Sequence, residues 1–148
     1  MVRRDAFLDR LPLCTYHPRV ASLLCVTAHG RGAVRDVGDR IRLARSLQDR
    51  TAGLLGTKSL KPGEGLWIEG APSIHMFFMK YPIDAVFVDG EGRVTKIVPN
   101  LKPWRVVWWA RGAKDCLELP AGAAAEAGIQ VGDVLRRVPV DAADGGGR

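Results

Sequence analysis

SIHMFFMKYPIDAVFVDGEGRVTKIV, residues 73–98, decides how this chain is read. Three short runs rich in Ile, Val and Phe stand at 73–79, 83–89 and 93–98. Runs of this length, bounded by turn residues, read as strands. Pro82 has no N–H for a ladder and ends the first run. Asp-Gly-Glu-Gly at 89–92 offers glycine where a tight hairpin needs positive φ. Working outward, LWIE at 66–69, WRVVWW at 104–109, DCLELP at 115–120 and VLRRV at 134–138 add strands, and RIRLA at 40–44 precedes them all. Two short helices are expected. One lies at about 47–55, behind the N-cap Ser46 and stopped by Gly56; the other spans 121–127, between Pro120 and Gly128. Many short strands, two helical inserts and no internal repeat predict a mainly β fold. It is a compact single-domain β-sandwich or small barrel with two short helices.

The 148 residues suit one domain, placed at 33–140. Residues 1–32, punctuated by Pro12, Pro18, Gly30 and Gly32, read as a basic, loosely ordered extension. Residues 141–148, with Gly145, Gly146 and Gly147, read as a disordered tail.

The formal net charge is +6. Residues 1–50 carry ten Arg against five acids, and residues 51–148 carry twelve basic residues against eleven acidic ones. The excess therefore sits in the first third. Asp36, Asp39 and Asp49 interrupt it, which describes a solvated surface; the alternative is nucleic-acid or anionic-membrane association through that third. No strong nucleic-acid signature accompanies it. Cys14, Cys25 and Cys116 are odd in number and form no CxxC, so free thiols in a reducing cytoplasm are expected. No apolar run reaches the ~18–20 residues of a transmembrane helix. Asp5, Asp9, Arg10 and Arg19 interrupt what a secretory signal would need. GxGxxG, GxxxxGK and HExxH are all missing, which removes the usual signatures of dinucleotide redox chemistry, nucleotide hydrolysis and zinc proteolysis. No cofactor and no metal is expected.

Three groups of residues are candidates for chemistry. On a strand at 73–79, His75, Phe77 and Met79 share one face and Met76 takes the other. Asp84 sits in an apolar run, where a carboxylate needs a partner. A His75–Asp84 pair would orient an imidazole for general-base work, but no nucleophile elbow accompanies it; the competing expectation is that Asp84 satisfies backbone N–H groups. Soft Cu(I) ligation by His75 and the methionines is disfavoured by their opposed faces. The second group is aromatic: Trp67, Trp104, Trp108 and Trp109, with Tyr81 and flanking Arg105 and Arg111. Trp104 and Trp108 fall on one face of their strand and Trp109 on the other, so one face must lie outside or at a rim. The third is Cys116 and Glu118, sharing a face before Pro120, where Glu118 is expected to be paired in the interior.

In this order, GLLGTKSL (53–60), GLWI (65–68), SIHMFFMKYPIDAVFVD (73–89), RVTKIVPNLKPWR (93–105), LELPAG (117–122) and GIQVGDVL (128–135) resemble a prokaryotic family known as domain of unknown function 192, or uncharacterised protein family 0127. The matching positions are Gly53, Leu54, His75, Met79, Pro82, Asp84, Glu118, Pro120, Gly122, Gly132 and Asp133. The resemblance implies a compact, mainly β domain and supplies no reaction, substrate or cofactor. It also implies export or lipid anchoring for many members. The function expected is a non-enzymatic binding module for an unknown small ligand or protein partner. Its candidate ligand-binding residues are His75, Met79, Tyr81, Asp84, Trp104, Arg105 and Glu118. The alternative is a small hydrolase or transferase using the His–Asp pair.

Overall fold

The computed structural model describes residues 23–45, 54 and 57–140. Its run at 83–88 is β5 (Ile83–Val88), buried at every position. Such a strand has apolar cover on both faces. Ile83, Ala85 and Phe87 enter one core cluster and Val86 and Val88 the other, as strand alternation requires.

The remaining strands are β1 (Leu23–Gly30), β2 (Ala33–Ala44), β3 (Glu64–Ile68), β4 (Ile74–His75), β6 (Val94–Leu101), β7 (Val106–Val107), β8 (Asp115–Pro120) and β9 (Val134–Pro139). One sheet has the order β6-β5-β8-β3-β2-β1-β9, and β4 and β7 form a second, small one. A single short helix, α1 (Ala123–Glu126), is described. The protein is therefore mainly β, as expected, but one sheet does the work of sandwich or barrel. It rolls until its edges touch at one end. Arg93 bridges Val134, Val94 N–H donates to the Asp133 carbonyl at 2.8 Å, and Leu135 N–H donates to Gly92 O at 2.8 Å. Only the start of β6 is joined to β9, so the barrel is not closed.

Residues 23–30, expected in a loose extension, form β1 between β2 and β9. Leu24, Cys25, Val26, Thr27 and Ala28 are all buried. A strand covered on both faces shows no alternation, which is why periodicity misses it. Cys25 on β1 is disulfide-bonded, whereas Cys116 is free and buried. This corrects the expectation of three free thiols: an odd count leaves one thiol over but does not forbid a bridge. The helix expected at 47–55 lies outside the described residues except for Leu54, which is buried in the first cluster. The tail at 141–148 also lies outside them.

Gly92 makes the edge contact possible. Its φ is +83°, and a Cβ there would stand 2.5 Å from the Leu135 carbonyl oxygen. Gly92→Ala is expected to lower stability by about 2 kcal/mol, read as a reduced urea midpoint at unchanged slope. An unchanged midpoint would show that the edge contact is dispensable.

Candidate functional site

Sheet topology dictates where the candidate residues go. β3 and β5 are both antiparallel to β8, so they are parallel to each other. The connection 70–82 must then run back along the sheet. By the same logic β6 and β8 are parallel, and 102–114 runs back the opposite way. The two crossovers meet antiparallel as β4 and β7, pairing Ile74 with Val107 and His75 with Val106. They are stitched further by Met76 N–H to the Arg105 carbonyl (2.8 Å), Trp104 N–H to the Met76 carbonyl (2.8 Å) and Ala110 N–H to the Pro72 carbonyl (2.7 Å). Ile74, Met76, Met79, Val107 and Ala110 join the first core cluster. The crossovers thus form a third layer over one sheet face.

The outer side of this layer is aromatic. Phe78, Trp104, Trp108 and Trp109 are 70%, 60%, 82% and 65% exposed. The His75 and Phe77 rings stack at 4.8 Å, and Trp104 lies 6.1 Å from Phe77 and 4.9 Å from Phe78. Both strands expected here are shorter than the sequence suggests, two residues each instead of 73–79 and 104–109. The cause is backbone conformation: Phe78 has φ 64° and Trp104 φ 68°. Left-handed conformation at a bulky residue costs about 1–3 kcal/mol and breaks strand alternation. Met79 consequently turns into the core beside Met76 instead of sharing the outer face with His75. Adjacent Phe77 and Phe78 both point outward.

Asp84 does not pair with His75. It is 1% exposed, its Oδ1 accepts from Asn100 N–H at 2.8 Å, and its Oδ2 accepts from Ala124 N–H at 3.0 Å. It ties β5 to the end of β6 and to the first turn of α1, where the helix has N–H groups to spare. His75 is exposed on the crossover layer. The general-base constellation is therefore not assembled. Tyr81 is half-buried, and its hydroxyl shares a 2.5 Å hydrogen bond with Thr57 Oγ1. Burial, above all, raises its pKa. Arg105 is exposed next to Trp104.

Glu118 lies in the interior, on the face of β8 shared with Cys116 and opposite Leu66 and Ala85. No hydrogen bond to its carboxylate is made by the described residues, so the expected pairing is not seen among them. Burial pushes it up to about 7 and raises the neighbouring Cys116 thiol well above its usual range. A raised thiol is unreactive.

Summing charge over residues 51–148 hides the cations of this layer. Lys80, Lys102, Arg105 and Arg111 are exposed, and neither 70–82 nor 102–114 contains Asp or Glu. Four of the described arginines of the first third are otherwise engaged. Arg31 and Arg35 face the buried Asp133, Arg40 donates to the Pro62 carbonyl, and Arg45 pairs with Glu69. No group of three His, Cys, Asp or Glu suited to a metal occurs among the described residues. No described helix is long and apolar enough to cross a membrane.

A family model described as "Uncharacterized ACR" (domain of unknown function 192) matches residues 26–137, and the chain belongs to that family. It is 38% identical over 61 residues to a protein of uncharacterised protein family 0127 from Pyrococcus abyssi, a match covering 41% of this chain and 51% of that one. The match thus spans about half of that relative's length. A relative from Thermococcus kodakarensis is 28% identical over 109 residues, covering 69% and 67% of the two chains. Among solved structures, a protein of unknown function from Novosphingobium aromaticivorans superposes with TM-score 0.68 at 27% identity, covering 82% of this chain and 91% of that one. A Sinorhizobium meliloti protein, solved as a candidate transcription regulator, gives TM-score 0.69 at 23% identity and covers 80% and 96%, and it shares the fold.

Two outcomes follow from the interior carboxyls. Asp84→Asn turns an NH₂ toward one of two backbone donors and is expected to lower stability by about 2–3 kcal/mol in chemical denaturation. A neutral result would mean the two amides are satisfied otherwise. Glu118 keeps its proton in the folded state up to about pH 7 but loses it near 4.5 when unfolded. Glu118's contribution to stability is then fully present below pH 4.5, declines by about 3 kcal/mol as pH climbs to 7, and is constant above. Glu118→Gln should flatten this part of the stability–pH curve, and a Glu118→Gln curve parallel to that of the natural protein would refute the assignment.

Proposed function

We propose that this chain is a non-enzymatic binding module whose contact surface is the outer side of the crossover layer. The observation that carries the reading is four large aromatic side chains, each at least 60% exposed, on one layer. Exposed apolar area on this scale on a globular protein marks an interaction site. Strained residues at such a surface support the same conclusion, because exposed Phe78 and Trp104 both hold unfavourable φ.

His75, Trp104 and Arg105 belong to this surface. Met79, Tyr81, Asp84 and Glu118 act beneath it as frame. The enzymatic alternative loses the carboxylate that would orient His75, since both Asp84 oxygens are engaged by backbone N–H groups. An anionic partner held by the first third loses described arginines to carboxylates of the fold. The cytoplasmic expectation rested in part on three free thiols, and the Cys25 bridge withdraws that part of its support.

The anionic aromatic dye 1-anilinonaphthalene-8-sulfonate tests the surface. Saturable dye binding is expected for the folded protein. Trp104→Ala with Trp108→Ala should abolish it while leaving the melting temperature within a few degrees. Dye binding that persists in the variant, or a variant that unfolds, would contradict the reading.

A further inference from the structure

We infer that the partner of the crossover layer is an anionic lipid bilayer surface, with the rings set at headgroup depth and the surrounding cations at the phosphates. The inference rests on the binding-module reading above and names its partner.

The first argument is ring exposure. Trp108 is 82% exposed, so both of its faces stand clear of the protein. Rings that stack bases or sugars lie on a supporting surface with one face covered. Here both faces of the sheet's central strands are buried, and the aromatics project from the layer above them. Projecting Trp and Phe suit a partner that deforms around them. A bilayer interface does so and accommodates Trp well.

The second argument is charge. Lys80, Lys102, Arg105 and Arg111 flank the rings, with no carboxylate in either crossover and no salt bridge to them among the described residues. The net charge of residues 51–148 is near neutral, so this one-signed patch is local. Each basic side chain near an anionic bilayer strengthens binding by roughly five-fold. Neither element suffices alone: the rings anchor weakly without charge, and the charge holds no depth without rings.

The third argument is rigidity. The backbone hydrogen bonds among Met76, Trp104 and Arg105, and between Ala110 and Pro72, fix the layer in advance. Left-handed Phe78 turns outward a ring that alternation with buried Ile74 and Met76 would send inward. A surface preset in this way orders little on contact.

The test is co-sedimentation with vesicles of equal parts phosphatidylglycerol and phosphatidylcholine, beside vesicles of phosphatidylcholine alone and a fluorescent single-stranded oligonucleotide. The full chain should bind the anionic vesicles, weaken with added salt and ignore the neutral ones. Its tryptophan fluorescence should be quenched by brominated lipid. Trp108→Ser with Trp109→Ser should remove both signals, and Lys102→Gln with Arg105→Gln should weaken binding by about 25-fold. These positions are exposed, so melting curves should confirm that both variants fold. Failure to bind anionic vesicles, while dye binding is still lost in the Trp104→Ala/Trp108→Ala variant, overturns the lipid assignment and leaves the binding module standing. Oligonucleotide binding that depends on the same residues does the same in favour of nucleic acid. Vesicle binding that survives both variants overturns the lipid assignment and moves the contact off this layer.

Discussion

A carboxylate buried in an apolar strand must find donors, and Asp84 finds two backbone N–H groups far away in sequence. One belongs to Asn100, where β6 ends with φ 49°, and the other to Ala124, in the first turn of α1. A helix as short as Ala123–Glu126 does not hold itself together, so its position depends on tertiary contacts such as this one. The end of β6 is also where the crossover 102–114 departs. Asp84 therefore fixes the launching point of the layer that carries the tryptophans. Two other buried aspartates work alike. Asp115 accepts from the Trp67 indole N–H and from Gly70 N–H, both at 3.0 Å, at the start of the other crossover. Asp133 accepts from Arg35 at 2.7 Å and from Gln130 N–H at 2.9 Å beside the β6–β9 contact.

This arrangement separates stability from contact. The inner side of the crossovers completes a core with Ile83, Phe87 and Cys116, and the outer side contributes little to it. Burying Phe78, Trp104, Trp108 or Trp109 would remove a large apolar area from water, roughly 25 cal/mol for each Å². The fold forgoes that gain and adds backbone strain at two of the four. A partner that covers the rings recovers the forgone burial.

Much of the fold was legible because β5, β6 and β8 are short apolar runs set between strong turn signals. Asp84 was legible too, since a charge within Ile-Asp-Ala-Val-Phe demands partners. What escaped had physical causes. β1 lacks alternation because both of its faces are covered. The crossover strands look long because Phe, Trp and Val favour strands, while the left-handed turns at Phe78 and Trp104 carry no residue-type signal of their own. Glycine would have announced such turns; aromatics conceal them. The cations were visible in the sequence, but summing charge over residues 51–148 cancelled Lys80, Lys102, Arg105 and Arg111 against acids elsewhere in the fold. Of the candidate residues, His75, Trp104 and Arg105 are exposed, Met79, Asp84 and Glu118 are buried, and Tyr81 is half-buried.

The account stands on the claim that the outer side of the crossover layer is where this protein meets its partner. Amide hydrogen exchange, compared with and without anionic vesicles, tests it most directly. The account predicts added protection confined to residues 75–80 and 102–111, with β1, β2 and β9 exchanging as before. Protection centred on β1 and β2, with the crossovers unaffected, would contradict it.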